Sequence, residues 1–222
     1  MAQHTARHRI GILGAGNIFG RYAEGLRTFP ELDVIRVADV DPARAERAAA
    51  EYAIPAWGGP DELLEDDAVE IVINITPPAF HAKTVIAALE AGKHVYVEKP
   101  LAATVEEARE VLDAAERSGK LLGSAPDTFL GSAVQTARHA IDTGLIGEPV
   151  GATAFVRSSR SETWHPDPRA FYGRAAGPCW TWAPTTWPRS STASARSGRC
   201  PPPPASARRP ARSPAPSGWS TR

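Results

Sequence analysis

Two hydrophobic periods take turns along the first 150 residues. Short runs rich in β-branched residues, Arg9 to Leu13, Leu32 to Ala38, Val69 to Ile75, His94 to Val97 and Lys120 to Leu122, read as buried strands. Between them the apolar positions recur at helical spacing. Ile18, Tyr22, Leu26 and Phe29 stand four and three apart, and a second helix is expected to begin near Pro42. Ala79 to Ala91 reads as a helix stopped at Gly92, Thr104 to Ser118 as one closed by Gly119, and 131–143 as one ending at Gly144. Val150 to Val156 looks like a further strand. Strands that alternate with helices of this length imply right-handed βαβ crossovers, hence an α/β fold with a doubly wound parallel sheet over residues 1–123.

Ligands of such sheets sit beyond the carboxyl ends of the strands, so the residues that follow each strand are the candidates for chemistry. After the first comes Gly14-Ala15-Gly16, a strand–glycine turn–helix arrangement of the Rossmann type. Gly14 allows the tight turn and Gly16 lets backbone approach a pyrophosphate, whose charge meets free amides, with Asn17 and Ile18 at the positive helix end. The other reading is an ordinary βα turn. Phe19 occupies the third position of the G-x-G-x-x-G pattern, with Gly20 one place late, which predicts that helix and strand do not approach in the usual way.

The second strand ends in Asp39, about two dozen residues past the glycines, where a carboxylate can accept from both adenosine ribose hydroxyls and would repel a 2′-phosphate. NAD is therefore the expected cofactor. Arg44 is the one feature that would admit NADP, unless it simply lies on the solvent face of its helix. Asp39 could instead be a turn acid, although Asp41 before Pro42 fits a helix cap better. Thr76-Pro77-Pro78 with His81 follows the third strand, and Glu98-Lys99-Pro100 the fourth. A lysine at a strand end can place its ammonium on a substrate oxygen as a proton relay; the competing reading is a surface charge pair. His81 is alternatively a polar residue in a helix's first turn, and Pro77-Pro78 a helix entry.

Composition divides the chain. Overall it is 42% hydrophobic and 23% charged with zero net charge, but the fifty residues from Gly173 hold eight arginines and no acid, which leaves residues 1–172 with a net charge of −8. Those fifty also lack Ile, Leu, Val, Met, Phe and Tyr, so they carry no aliphatic material for a core and are expected to be disordered. Both cysteines, Cys179 and Cys200, fall there, so the body uses none and says nothing about a disulfide framework. No apolar run approaches the roughly 20 residues of a membrane span, and Met1 to Arg9 has no apolar signal core; a cytoplasmic protein is the default expectation.

The quoted motifs together resemble a known family. Gly11-Ile-Leu-Gly-Ala-Gly16, Val37-Ala-Asp39, Asn74-Ile-Thr-Pro-Pro78 with His81, and Ala91-Gly-Lys-His-Val-Tyr-Val-Glu-Lys-Pro-Leu-Ala102 are similar to those of the Gfo/Idh/MocA family of glucose-fructose oxidoreductase and inositol dehydrogenase relatives. The resemblance covers roughly residues 8–172. It implies NAD(P)-dependent chemistry at a secondary alcohol of a sugar, cyclitol or related polyol. It also implies a homo-oligomer in the intact family form, Lys99 as the catalytic lysine, and Thr76, Pro77, His81 and Glu98 near the nicotinamide end. No metal is called for. The family's α+β substrate domain would start within 124–172, where Ala125-Pro-Asp-Thr-Phe129 departs from the Arg-Phe pair of many members. Trp164-His165-Pro166 and Phe171-Tyr172 stand where a substrate-side loop would be, or are aromatic packing.

The tail, 173–222, reads like the wrong frame. Each of its residue types can be encoded with G or C at the second codon base, the set that a frame slip would produce in a GC-rich gene. Joining the last base of each codon to the first two of the next from Cys179 to Trp187 gives Leu-Asp-x-Gly, with His permitted two places later. The Leu, Asp and Gly are forced by the code, and the family's catalytic helix motif is Asp-x-Gly-x-His. A single-base slip near Tyr172/Gly173 is therefore expected, leaving the substrate domain incomplete and activity weak or absent. A rival reading gives the arginines to a nucleic acid as a salt-sensitive basic tail, but the frame argument accounts for them without any such partner.

Overall fold

The computed structural model describes residues 7–126 and 128–151. Six strands, β1 (His8–Leu13), β2 (Leu32–Ala38), β3 (Ala56–Gly58), β4 (Ile71–Asn74), β5 (His94–Val97) and β6 (Leu122–Ser124), form one parallel sheet in the order β3-β2-β1-β4-β5-β6. The order reverses between β1 and β4. That is the switch point at which a doubly wound sheet opens a crevice for ligands.

Side-chain alternation along the strands feeds a core on each face. Ile10, Ile12, Val37 and Ile73 pack with Phe19 and Ala23 of α1 (Phe19–Leu26) and with Ala48 and Ala49 of α2 (Pro42–Glu51). Leu13, Ala38, Val72, Val95 and Val97 pack on the other face. There they meet Leu63 of α3 (Pro60–Leu64), Val85, Ala88 and Leu89 of α4 (His81–Glu90), and Val111 and Ala114 of α5 (Val105–Ser118).

Helix ends follow local chemistry. Asp41 caps α2 by accepting from the Ala43 amide at 3.1 Å, ahead of Pro42. Thr104 and Glu107 form a reciprocal capping box on α5, and Gly119 ends that helix in the left-handed region. At the amino-terminal side of the sheet, hydrogen bonds from Arg36 and the Ala68 amide hold the Asp66 carboxyl below its usual range.

Several boundaries differ from expectation. The predicted 79–91 helix is a 3₁₀ turn, Pro78–Phe80, followed by α4. The strand expected at Lys120 begins at Leu122, because its register is set by pairing Leu122 with Val95. β3 and the single-turn α3 were not anticipated. The expected 131–143 helix is α6 (Ser132–Asp142), with no buried residue. Val150 to Val156, the aromatic loop residues and the tail lie outside the described residues, apart from Val150 and Gly151, which are not in a strand. No helix among the described residues is long and apolar enough to cross a membrane.

Candidate functional site

Strand register brings the candidate residues to one edge. Leu13 pairs with Ala38 and Asn74, and Asn74 with Val97, so β1, β2, β4 and β5 end level and Gly14, Asp39, Ile75 and Glu98 start their loops side by side. Gly14 turns at a φ of +105°, and a Cβ there would lie 3.1 Å from the Ile75 carbonyl and the Thr76 amide. Both the dihedral and the space demand glycine. A Cβ on Gly16 would meet nothing within 4 Å. Among the described residues, the amides of Gly16, Asn17 and Ile18 have no hydrogen-bond acceptor, and α1 lacks a side-chain cap at Ile18. Open space before uncommitted amides at a helix start is the environment a pyrophosphate needs.

Phe19, the departure from the glycine pattern, is buried edge-on against Tyr52 at 5.4 Å. At Gly20, a Cβ would stand 2.6 Å from the Tyr52 hydroxyl, so the tip of that side chain lies over the glycine.

Asp39 is 6% exposed, and its carboxylate is organised from three directions. Oδ2 accepts from the Ala15 amide in the glycine turn at 2.8 Å, and Oδ1 accepts from the Asp41 amide at 2.9 Å and from Arg44 at 3.3 Å. Two carboxylate oxygens have roughly four acceptor sites, so capacity remains for a hydroxyl donor. Arg44 is exposed, as expected, yet its guanidinium turns back to Asp39 and also lies 3.8 Å from Asp41. The turn-acid and ribose-acceptor readings of Asp39 are thus compatible, since the bond to Ala15 holds the carboxylate beside the glycine turn.

Beyond β4, the buried Asn74 takes the Thr76 amide and hydroxyl on its Oδ1, at 3.1 and 2.7 Å, and donates to the Thr84 hydroxyl of α4 at 2.5 Å. Pro77 is exposed. His81 is buried behind this loop, its ring nitrogens 2.7 Å from the Thr76 carbonyl and 2.6 Å from the Pro100 carbonyl. Both nitrogens are engaged by the chain itself, which directs the ring to the loops.

Beyond β5, the Glu98 amide donates to the Asn74 carbonyl at 2.9 Å. The Glu98 carboxylate accepts from the Lys99 amide at 2.8 Å and from the Tyr22 hydroxyl of α1 at 3.0 Å. Lys99 is half-buried, and among the described residues no carboxylate lies within ion-pair distance of its Nζ. The surface-pair reading of Glu98 and Lys99 is therefore not what the geometry shows: Glu98 holds the backbone, and the ammonium is left for another oxygen. No group of three or more His, Cys, Asp or Glu poised for a metal occurs among the described residues. Asn74 and Tyr22 are the organising residues that the sequence reading did not single out; the Asn-x-Thr turn signal at Asn74 would have found the first.

A six-stranded parallel sheet with a glycine turn, a buried acid at the end of β2 and a free helix start at the switch point defines a dinucleotide-binding α/β domain. The chain belongs to the Gfo/Idh/MocA family, described as an oxidoreductase family with an NAD-binding Rossmann fold, whose profile matches residues 8–125. It is 33% identical over 151 residues to the NAD(+)-dependent scyllo-inositol 2-dehydrogenase of Bacillus subtilis (strain 168), covering 67% of this chain and 44% of that protein. The crystal structure of an NAD binding oxidoreductase from Klebsiella pneumoniae is 36% identical with a TM-score of 0.57, covering 65% of this chain and 41% of that one. KijD10, a 3-ketoreductase from Actinomadura kijaniata in complex with NADP, is 31% identical with a TM-score of 0.59, covering 64% and 46%. The chain thus spans less than half the length of these relatives.

Proposed function

We propose that residues 7–126 are the cofactor-binding part of an oxidoreductase that takes NAD(H) ahead of NADP(H) and acts at a secondary alcohol of a sugar, cyclitol or related polyol. The residues present fit the cofactor: Gly16 leaves room for a pyrophosphate, the amides at the start of α1 are uncommitted, and Asp39 has acceptor capacity beside the turn. When bound, the nicotinamide supplies the hydride acceptor or donor. The chain's own part is to orient and to move a proton. Asn74 and Glu98 fix the loops after β4 and β5, and Lys99 holds or delivers the proton on the reacting oxygen. The substrate class rests on the names of the relatives, scyllo-inositol 2-dehydrogenase among them.

The observation that carries this reading is a half-buried Lys99 with no carboxylate partner among the described residues, at the same sheet edge as the glycine turn. In a frame-restored gene product, Lys99→Ala is expected to lower turnover by about 10²-fold or more, the scale of acid–base help. NADH affinity, read by fluorescence titration, should stay nearly unchanged. Undiminished turnover, or NADH binding lost in step with activity, overturns the role given to Lys99.

A further inference from the structure

His81 stands at the start of α4, 1% exposed, between two loops that leave neighbouring strands. Its Nε2 faces the Thr76 carbonyl at 2.7 Å and its Nδ1 the Pro100 carbonyl at 2.6 Å. Carbonyl oxygens only accept, so each ring nitrogen meets a fixed acceptor and the ring bridges the two loops through this pair of contacts.

The placement of the two carbonyls gives the bonds a purpose. Thr76 has its amide and hydroxyl taken by Asn74, so the His81 bond to its carbonyl completes the fixing of that residue. Thr76 in turn lies against Gly14 of the cofactor turn. Pro100 follows Lys99 directly, and the Glu98 carboxylate holds the Lys99 amide from the other side. Neither bond of the ring serves α4. One goes to the loop beside the cofactor turn, and the other to the loop that carries the lysine.

We propose that His81 is a positioning residue for Lys99: held between the Thr76 carbonyl and the Pro100 carbonyl, its ring ties the two and sets the lysine's loop against the cofactor-side loop. This rests on the reading of Lys99 as proton relay, where a displacement of about 1 Å is enough to cost catalysis heavily. A site of that kind depends on the residues that hold it.

The test need not use turnover. In the full 222-residue chain labelled with nitrogen-15 and carbon-13, with and without NADH, a His81 ring N–H should show coupling through its hydrogen bond, Nδ1 to the Pro100 carbonyl carbon or Nε2 to that of Thr76. Coupling to neither carbonyl overturns the proposal, and this arm needs no variant. In a folded His81→Gln chain, whose amide cannot bridge both carbonyls in the ring's geometry, competitive acylation with acetic anhydride should change the Lys99 labelling rate severalfold and leave that of Lys120 unaltered. An unchanged Lys99 rate also overturns it. Failure of the Lys99 reading would look different: full turnover in Lys99→Ala with the ring coupling intact.

Discussion

Asp39 serves two structural masters, because the carboxylate that would meet the ribose also receives the Ala15 amide and thereby shapes the glycine turn. Substitution should therefore act on affinity and selectivity together. Asp39→Ala is expected to weaken NADH binding by about tenfold, the scale of one charge-assisted hydrogen bond, and to narrow the preference over NADPH, since the repulsion of a 2′-phosphate goes with the charge while Arg44 remains. Parallel fluorescence titrations with both cofactors measure this, and NADPH binding equal to NADH in the unaltered chain would defeat the ribose assignment. Legibility at this scale followed distance along the chain. Gly14, Gly16 and Asp39 stood out because turn and acid keep a short, recurrent spacing. Tyr22 could not stand out: its hydroxyl reaches Glu98 across 76 residues, and only the packing of α1 against the sheet end brings them together. His81 was visible as a residue but not as a tie, since its partners are backbone carbonyls, which carry no residue type to read.

At the scale of elements, hydrophobic period and end chemistry located most of the sheet and its helices. β2 and β5 match their predicted spans because each is a β-branched or apolar run bounded by turn residues. β3 escaped notice for a physical reason: Ala56-Trp57-Gly58 is three residues long, has no β-branched side chain, and exists by pairing with Arg36 to Ala38. The apolar pair Leu121-Leu122 pointed to a strand two residues early, whereas Leu121 is exposed and the ladder runs Leu122 to Ser124. The β1–α1 turn gives a paired test. Gly14→Ala meets both a positive φ and the β4 loop backbone at 3.1 Å, and should destabilise the fold by about 1–3 kcal/mol in denaturant unfolding. Gly16→Ala points into open space and should change stability by less than about 0.5 kcal/mol while weakening NADH binding. If the two variants behaved alike in both assays, the division between a turn glycine and a ligand glycine would be wrong.

For the whole molecule, the described residues make up one side of the proposed reaction. Hydride transfer needs the reacting carbon held within roughly 3–3.5 Å of its partner, and that positioning requires a surface on the substrate side as well as on the cofactor side. In the proposed reading the glycine turn, Asp39, the Asn74 loop and Lys99 make up the cofactor side. Cofactor binding and turnover should therefore separate. A chain ending at Tyr172 is expected to bind NADH as tightly as the 222-residue chain, because residues 173–222 lack the aliphatic side chains from which a second binding surface could be built. Neither should turn over inositols or sugar-like alcohols at a measurable rate. The product of a gene with one base restored near codons 172 and 173 should do so, since the shifted frame forces Leu, Asp and Gly and permits His at the spacing of the family's catalytic helix motif. Three readings decide it: NADH titration of the two chains, turnover of the restored product, and the nucleotide sequence of codons 170–190 in independent reads. Loss of NADH affinity on removing 173–222 would give the tail a binding role, and full turnover in the 222-residue chain would mean that Lys99 finds its substrate surface without the restored frame.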